Sequence, residues 1–148
     1  MGAGLVFLQF ALLLVLAALA VPALAQGGLG AAGVPGGVLA LLSVLLAAWT
    51  LAHNHVGNFN IRPAPKVGGV LVTSGPYHWI RHPMYTSVLL GAAAMASVAG
   101  TVLAWLAWCL LLVVLAVKAL LEERWVVQQH PAYAAYCKQS KRFLPWVL

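Results

Sequence analysis

The chain has 148 residues, of which 64% are hydrophobic and only 7% are charged, and its mean hydropathy is +0.97. A soluble domain carries about 25% charged residues, because most of its surface must face water. The composition therefore excludes a soluble domain, a disordered chain and a disulfide-stapled secreted miniprotein. It predicts an all-α polytopic membrane helix bundle that forms one membrane domain, 1–148. Eight basic against two acidic side chains give a formal charge of +6, which here indicates membrane topology and not nucleic-acid binding.

The first apolar segment runs from Leu5 to Ala25 without a charge. It is long enough to cross a bilayer, which takes roughly 20 helical residues. The small residues Ala23 and Ala25 before Gln26 are also typical of a signal-peptide cleavage site. However, no positive charge precedes the segment, and it exceeds the roughly 7 to 15 residues of a signal core. We therefore expect a retained span, with a cleaved signal as the alternative.

Three further spans are predicted, at 38–56, 84–99 and 101–121. The stretch Gly27–Gly37 holds six glycines and Pro35, which are unfavourable in a helix, so it is predicted to be a short exposed turn. The last two spans have only Gly100 between them, so we expect them to form an antiparallel helical hairpin. The prediction is thus four transmembrane helices.

The polar parts of the chain are the loop 57–83 and the tail 122–148. The tail mixes aromatic residues with Gln, Lys and Arg, which predicts a C-terminal amphipathic helix lying along the membrane surface. All eight Lys and Arg residues fall in the loop or at and beyond Lys118, and two intervening helices place these regions on one face. Because positive charge marks the cytoplasmic side, we expect this face and both termini to be cytoplasmic and the protein to lie in the inner (plasma) membrane.

The chain lacks the residues that several common enzyme reactions and binding sites require. Glu122 and Glu123 are its only carboxylate side chains, and there is no Ser/His/Asp constellation, so hydrolysis is not expected. No glycine-rich phosphate-binding loop occurs. His78 and His82 are four residues apart, but Pro83 interrupts a helix there, so no metal site is expected. A haem held by His82 and a distant partner stays open as an alternative.

A cluster of polar residues is predicted at the membrane surface. The loop segment Lys66–Tyr85, KVGGVLVTSGPYHWIRHPMY, leads into a span, and Lys118, Glu122 and Glu123 lie on the same face of the membrane. Taken singly, these residues can be interfacial anchors, an aromatic belt and a surface ion pair worth about 0.2–0.5 kcal/mol. Taken together, the carboxylates, basic groups and aromatic walls suit a zwitterionic, partly aromatic cofactor.

The same residues carry a family resemblance. GPYHWIRHPMY is followed about 37 residues later by EE, and then by YxxY and a closing RFLP. This combination resembles the isoprenylcysteine carboxyl methyltransferase and phospholipid N-methyltransferase group of integral-membrane enzymes. The matching stretch runs from about Lys66 to Pro145, and it is the combination of motifs that is specific. The first two spans resemble the group only as hydrophobic helices.

The resemblance implies S-adenosylmethionine-dependent methyl transfer, with the cofactor held on the cytoplasmic side between the RHPxY loop and the helix of Glu122. It also implies that Lys118 binds the acceptor, because the prenylcysteine enzymes of this group resemble one another in having an arginine at this position. Arg81 is then the candidate to orient an anionic group, and His82 or Tyr85 is the candidate to accept a proton from an amine or thiol. The residues implied in cofactor binding are Gly69, Val70, Leu71, Val72, Tyr77, His82, Pro83, Met84, Tyr85, Glu122 and Glu123.

The acceptor is expected to reach the site from the bilayer, so it should be lipid-like or amphipathic and carry a carboxylate, a thiol or an amine. The alternative from another class is a non-enzymatic membrane subunit, either haem-binding or a transport partner. The third alternative, a membrane reductase with a nicotinamide cofactor, is not supported, because the sequence has no arginine cluster that could bind the cofactor's phosphates.

Overall fold

The computed structural model describes residues 2–26, 33–54, 71–129 and 132–145. In these ranges the helices are, in chain order, α1 (Gly2–Ala25), α2 (Gly33–His53), α3 (Pro83–Ala99), α4 (Val102–Gln129) and α5 (Tyr133–Gln139). A 3-10 turn, Gly75–His78, precedes α3. No strand forms within the described ranges, where Ile80 and Lys141 make an isolated parallel bridge. The predicted all-helical class is confirmed.

Among the described helices, α1, α2 and α4 are long and apolar enough to cross a membrane. The apolar helix α3 has 17 residues. At 1.5 Å per residue its length is about 26 Å, somewhat less than the roughly 30 Å of hydrocarbon. Large apolar side chains face outward, with Phe7 76% and Leu14 70% exposed. An apolar exterior of this kind is consistent with an integral membrane protein, and a fourth crossing by α3 stays a prediction.

Helix α3 lies at the centre of the bundle and packs against α1, α2 and α4. Its middle, GAAAMAS, consists almost entirely of small residues, which allow neighbouring helices to approach closely. A Cβ added to Gly91 would lie 3.0 Å from the Ser43 hydroxyl of α2. That hydroxyl donates a hydrogen bond to the Ser87 carbonyl at 2.7 Å. Most of the larger core side chains come from α1 and α4 and include Leu12, Leu16, Leu111 and Leu115.

The ends of the α3–α4 hairpin follow from local sequence. Pro83 starts α3, where its fixed φ suits a first helical turn and its missing N–H is not needed. Gly100 ends α3 in the left-handed region at φ 62°, which glycine adopts without strain. The Thr101 side chain then accepts a hydrogen bond from the backbone N–H of Ala104 at 3.2 Å and caps α4. The turn at Gly100 lies where the sequence predicted it.

The predicted turn Gly27–Gly37 is wrong in its second half, because α2 already begins at Gly33. A Cβ on Gly36 would lie 3.0 Å from Val98 of α3, so this glycine allows close helix packing. The packing compensates for the conformational entropy that glycine loses in a helix. Residues 27–32 lie outside the described ranges. At its other end α2 stops at His53 and not at the predicted Val56, which also lies outside them.

Helix α4 continues without a break past Glu122, where the predicted tail begins, to Gln129. The predicted end of the span at residue 121 thus lies inside a continuous helix, and the point where the chain leaves the membrane stays a prediction. Glu122 and Glu123 are compatible with the helix and are paired with partners inside the protein. Only the seven-residue α5 forms a separate C-terminal helix in the described part of the tail. Its position on the membrane surface stays a prediction.

Candidate active site

The RHPMY motif and the Glu122-Glu123 pair meet in space, as the sequence predicted. Tyr85, in the first turn of α3, donates a hydrogen bond through its hydroxyl to Oε1 of Glu122 on α4. The His82 ring stacks on Tyr85 with 5.4 Å between ring centroids and 6° between planes. His82 Nδ1 lies 3.6 Å from Oε2 of Glu122. Two segments about 40 residues apart in sequence therefore form one cluster.

Glu123 connects three basic side chains. Its Oε1 accepts a hydrogen bond from Arg81 Nε at 2.8 Å and lies 3.3 Å from His82 Nε2. Its Oε2 accepts a hydrogen bond from Arg142 Nε at 3.0 Å. The Glu123 and Arg81 side chains are both nearly buried, whereas Arg142 is 41% exposed. Glu123 thus holds the RHPMY segment, α4 and the C-terminal segment together.

Arg81 has further partners at the end of α5. Its Nη1 donates hydrogen bonds to the carbonyls of Cys137, at 3.1 Å, and of Ser140. A cation at a helix C-terminus satisfies carbonyls that lack helical partners. Burial alone would lower the pKa of Arg81, but the hydrogen bond and charge of Glu123 outweigh that effect and raise it above its ordinary value. Arg81 is therefore a permanent cation that fixes α5 against the RHPMY segment.

The chain after α5 returns to the same segment. The backbone N–H groups of Arg81 and His82 donate to the carbonyls of Lys141 and Arg142 at 2.7 and 3.0 Å. The Thr86 hydroxyl donates to the Phe143 carbonyl at 2.8 Å. These bonds hold the C-terminal segment beside His82 along one edge of the cluster.

Tyr77 lies in the 3-10 turn and links it to two helices. Its hydroxyl accepts a hydrogen bond from Asn54, at the end of α2, at 2.9 Å. Its carbonyl accepts a hydrogen bond from the Tyr136 hydroxyl of α5. Burial raises the pKa of Tyr77 and, more strongly, that of Tyr136, to about 12. Both hydroxyls are therefore neutral at physiological pH, and they position the loop ahead of the RHPMY motif.

Lys118 lies on α4, one helical turn before Glu122, and is only 2% exposed. Its ammonium donates a hydrogen bond to Oε1 of Gln9 on α1 at 2.7 Å. It also sits over the Tyr85 ring, 5.0 Å from the ring centroid. The interpretation of Lys118 and Glu122 as a solvent-exposed surface pair is therefore wrong, because the lysine is enclosed between α1, α3 and α4.

The structure brings together six of the site residues predicted from the sequence: Arg81, His82, Tyr85, Lys118, Glu122 and Glu123. Pro83 is buried at the start of α3, and the Met84 carbonyl accepts a hydrogen bond from the Ser87 hydroxyl. Leu71 lines a half-open cleft of about 250 Å³ together with His78 and Tyr136. Val72 is adjacent to Leu71 and half-buried, whereas Gly69 and Val70 lie outside the described ranges.

Four residues of this region were not predicted. Gln9 is the lone polar side chain of α1, and a polar residue inside an apolar span is a sequence signal for a buried partner. Arg142 and Phe143 belong to the RFLP motif, which contributes to the family resemblance but whose residues had no predicted role. For Asn54, which follows α2, nothing in the sequence indicates the hydrogen bond that it donates to Tyr77. The partners of these residues are distant in sequence, so spacing alone does not identify them.

One of the comparisons with known proteins gives a match. No curated protein and no solved structure matches the chain. The family model described as phospholipid methyltransferase matches residues 31–132, which is more than half of the chain and includes the RHPMY motif and both glutamates. The chain belongs to the phospholipid methyltransferase family.

Proposed function

We propose that this protein is an integral-membrane methyltransferase that uses S-adenosylmethionine and acts on a lipid-like or amphipathic acceptor. The observation that carries the proposal is the convergence of His82, Tyr85 and Glu122 on one side of the bundle, in a chain of a methyltransferase family. The acceptor group is a carboxylate, a thiol or an amine.

Glu122 fits the polar end of the cofactor better than Glu123. The Glu122 side chain is 20% exposed, and its partners in the cluster are the Tyr85 hydroxyl and the His82 ring. A carboxylate offers about four lone-pair positions, so Glu122 can accept further hydrogen bonds from an ammonium or hydroxyl group. Glu123 is 11% exposed and already binds three basic groups. We assign cofactor binding to Glu122, and to Glu123 the task of positioning Arg81 and His82.

When bound near Glu122, S-adenosylmethionine would supply an electrophilic methyl group to a lone pair of the acceptor, and its sulfonium would become a neutral thioether. The protein's part is to hold donor and acceptor in line and to exclude water. The Glu122 carboxylate would favour a cation near it. A carboxylate acceptor needs no base, whereas for an amine or thiol acceptor His82 can take the proton only after one of its ring nitrogens leaves its contact with Glu122 or Glu123.

Lys118 is the proposed acceptor-binding residue, by resemblance to enzymes with arginine at this position. A lysine offers a point charge and not the two-pronged geometry of arginine, which favours a less strictly planar anionic group. Since Lys118 is 2% exposed and binds Gln9 of α1, the side chains around it must move before an acceptor can reach it. The apolar exterior of the surrounding helices is compatible with entry from the bilayer.

The proposed topology has four crossings, with α3 as the short fourth one, and the cluster at the cytoplasmic face of the inner membrane. The basic residues of the RHPMY segment and of the C-terminal segment support this orientation. Their contacts through Glu123 support one location for both segments.

The direct test incubates membranes that contain the protein with methyl-labelled S-adenosylmethionine and extracts the lipids. We expect a labelled, lipid-soluble product whose yield, at limiting cofactor, is much lower with the Glu122→Gln variant. Label transfer that is equal in membranes with and without the protein would contradict the proposal.

The alternative of a haem-binding subunit requires a free imidazole nitrogen. In the structure both ring nitrogens of His82 face carboxylates, Nδ1 towards Glu122 and Nε2 towards Glu123. A haem ligated by His82 would displace one of these contacts, so the geometry favours the methyltransferase. A Soret band in the purified protein that disappears in His82→Ala would favour the alternative.

A further inference from the structure

The buried contact between Gln9 and Lys118 connects α1 to the cluster. Gln9 is 9% exposed and Lys118 is 2% exposed, and the 2.7 Å bond between them is buried. A polar pair buried between two apolar helices is unfavourable unless each group has a partner. The family match begins at residue 31, so α1 and Gln9 lie outside the matched region. The contact joins a helix outside the matched region to Lys118, which lies inside it.

The same ammonium also touches the cluster. Lys118 Nζ is 5.0 Å from the centroid of the Tyr85 ring, whose hydroxyl donates to Glu122. A cation on the face of a phenol ring is held by the ring's electrons and draws electron density from the ring. Lower electron density makes the hydroxyl a stronger hydrogen-bond donor. The contacts therefore run without a gap from Gln9 to Lys118, Tyr85 and Glu122.

We propose that Gln9 is a positioning residue of the cofactor site: its side-chain oxygen holds the Lys118 ammonium on the face of Tyr85, and this strengthens the bond that orients Glu122. The inference rests on the proposed function, because it assigns to Glu122 the polar end of S-adenosylmethionine. It makes the first helix part of the binding site and not only a membrane anchor.

The test measures S-adenosylmethionine affinity by calorimetry, together with the thermal unfolding temperature, on the full chain in detergent. Gln9→Met keeps the length of the side chain but removes the oxygen, and we expect it to raise the dissociation constant about two- to tenfold, the size of a cation–π contact. Gln9→Glu restores an oxygen at the same reach and should retain most of the affinity. The matched control is Ser43→Ala, which removes another 2.7 Å interhelical hydrogen bond, between α2 and α3. It should lower the unfolding temperature and leave the affinity unchanged.

A double-mutant cycle shows whether Gln9 acts through Lys118. In a Lys118→Met background, Gln9→Met should cause no further loss of affinity. A loss of equal size in both backgrounds, an unchanged affinity in Gln9→Met, or an equal loss in Ser43→Ala would each overturn the inference. If the unmodified protein binds no S-adenosylmethionine, the proposed function fails instead. The two failures are therefore distinguishable.

Discussion

Glu122 and Glu123 are neighbours in sequence and have different surroundings. Successive helical residues point about 100° apart, so the two carboxylates face different sides of α4. Glu122 faces Tyr85 and His82, whereas Glu123 faces Arg81 and Arg142 as well as His82. The first is the more accessible and the second joins segments of the protein. The two residues should therefore respond differently to the same substitution.

Glu122→Gln should weaken S-adenosylmethionine binding by about 1.5–3 kcal/mol, the value of a hydrogen bond to a charged group. The unfolding temperature should change little, because the Tyr85 hydroxyl can still donate to the amide oxygen. Calorimetry on the detergent-solubilised protein measures both changes. Glu123→Gln is the matched variant, and it should chiefly lower the unfolding temperature. An unchanged affinity in Glu122→Gln would remove this residue from the cofactor site.

Arg81→Lys should destabilise the fold while keeping the positive charge. The guanidinium binds Glu123 and two carbonyls at the end of α5 at once, and an ammonium on a flexible stem cannot reproduce that geometry. We expect a loss of about 1–3 kcal/mol in the free energy of unfolding, measured by denaturation in mixed micelles. Arg142→Lys is the control, because Arg142 binds the same Glu123 but is 41% exposed. Its loss should be clearly smaller, and equal losses would contradict the structural role of Arg81.

The 3-10 turn before α3 depends on one glycine. Gly75 has φ 59°, in the left-handed region, and a Cβ there would lie 2.4 Å from Cγ of the His53 ring. Only glycine allows this ring at the end of α2 to pack directly on the turn. The contact determines where Tyr77, two residues later, lies between α2 and α5. The position of the loop is thus fixed by packing as well as by hydrogen bonds.

Gly75→Ala should therefore be more harmful than Gly100→Ala. Both glycines have φ near 60°, so both variants carry a backbone strain of about 1 kcal/mol. At Gly100 an added Cβ meets nothing within 4 Å, whereas at Gly75 it must displace the His53 ring. We expect an additional loss of about 1–3 kcal/mol for Gly75→Ala, typical of overpacking. Thermal unfolding of the two variants measures the difference, and equal stabilities would show that the close packing on His53 is absent.

At the scale of the helices, some bounds and contacts could be predicted from the sequence and others could not. Apolar segment length, Pro83 and Gly100 gave the bounds of α3 within one residue, because these signals act locally. The start of α2 and the length of α4 were not predicted, since Gly36 is accommodated by Val98 and Glu122 by Tyr85, both distant in sequence. The meeting of RHPMY with Glu122 was predicted from topology. The contact of Lys118 with Gln9 was not, because nothing in the order of residues fixes how α1 is rotated.

At the scale of the whole molecule, every described helix contributes to the cluster or to its support. Gln9 connects α1 to Lys118 of α4, Arg81 connects α5 to Glu123 of α4, and Asn54 connects the end of α2 to the 3-10 turn that precedes the RHPMY segment. A site built in this way has one location relative to the bilayer. The orientation of the protein in the membrane therefore decides which compartment supplies the cofactor.

The two cysteines provide a test of this orientation without engineered labels. Cys137 lies in α5 and is partly exposed, whereas Cys109 lies in the apolar part of α4 on its outer face. If the cluster is cytoplasmic, a membrane-impermeant maleimide should modify Cys137 in inside-out vesicles and not in right-side-out vesicles. Burial raises the pKa of the Cys137 thiol, so its thiolate fraction at neutral pH is low. The labelling rate should therefore keep rising with pH beyond the range where an ordinary thiol is fully ionised.

The control for this experiment is Cys109→Ala, which should leave the labelling pattern unchanged, because a charged reagent does not enter the hydrocarbon where Cys109 is expected to lie. Cys137→Ala should abolish labelling in both kinds of vesicle. Labelling of Cys137 from the outside would place the RHPMY motif there too, because Arg81 binds the Cys137 carbonyl directly. The basic residues would then lie on the side that they normally avoid, and a cytoplasmic supply of S-adenosylmethionine could not reach Glu122.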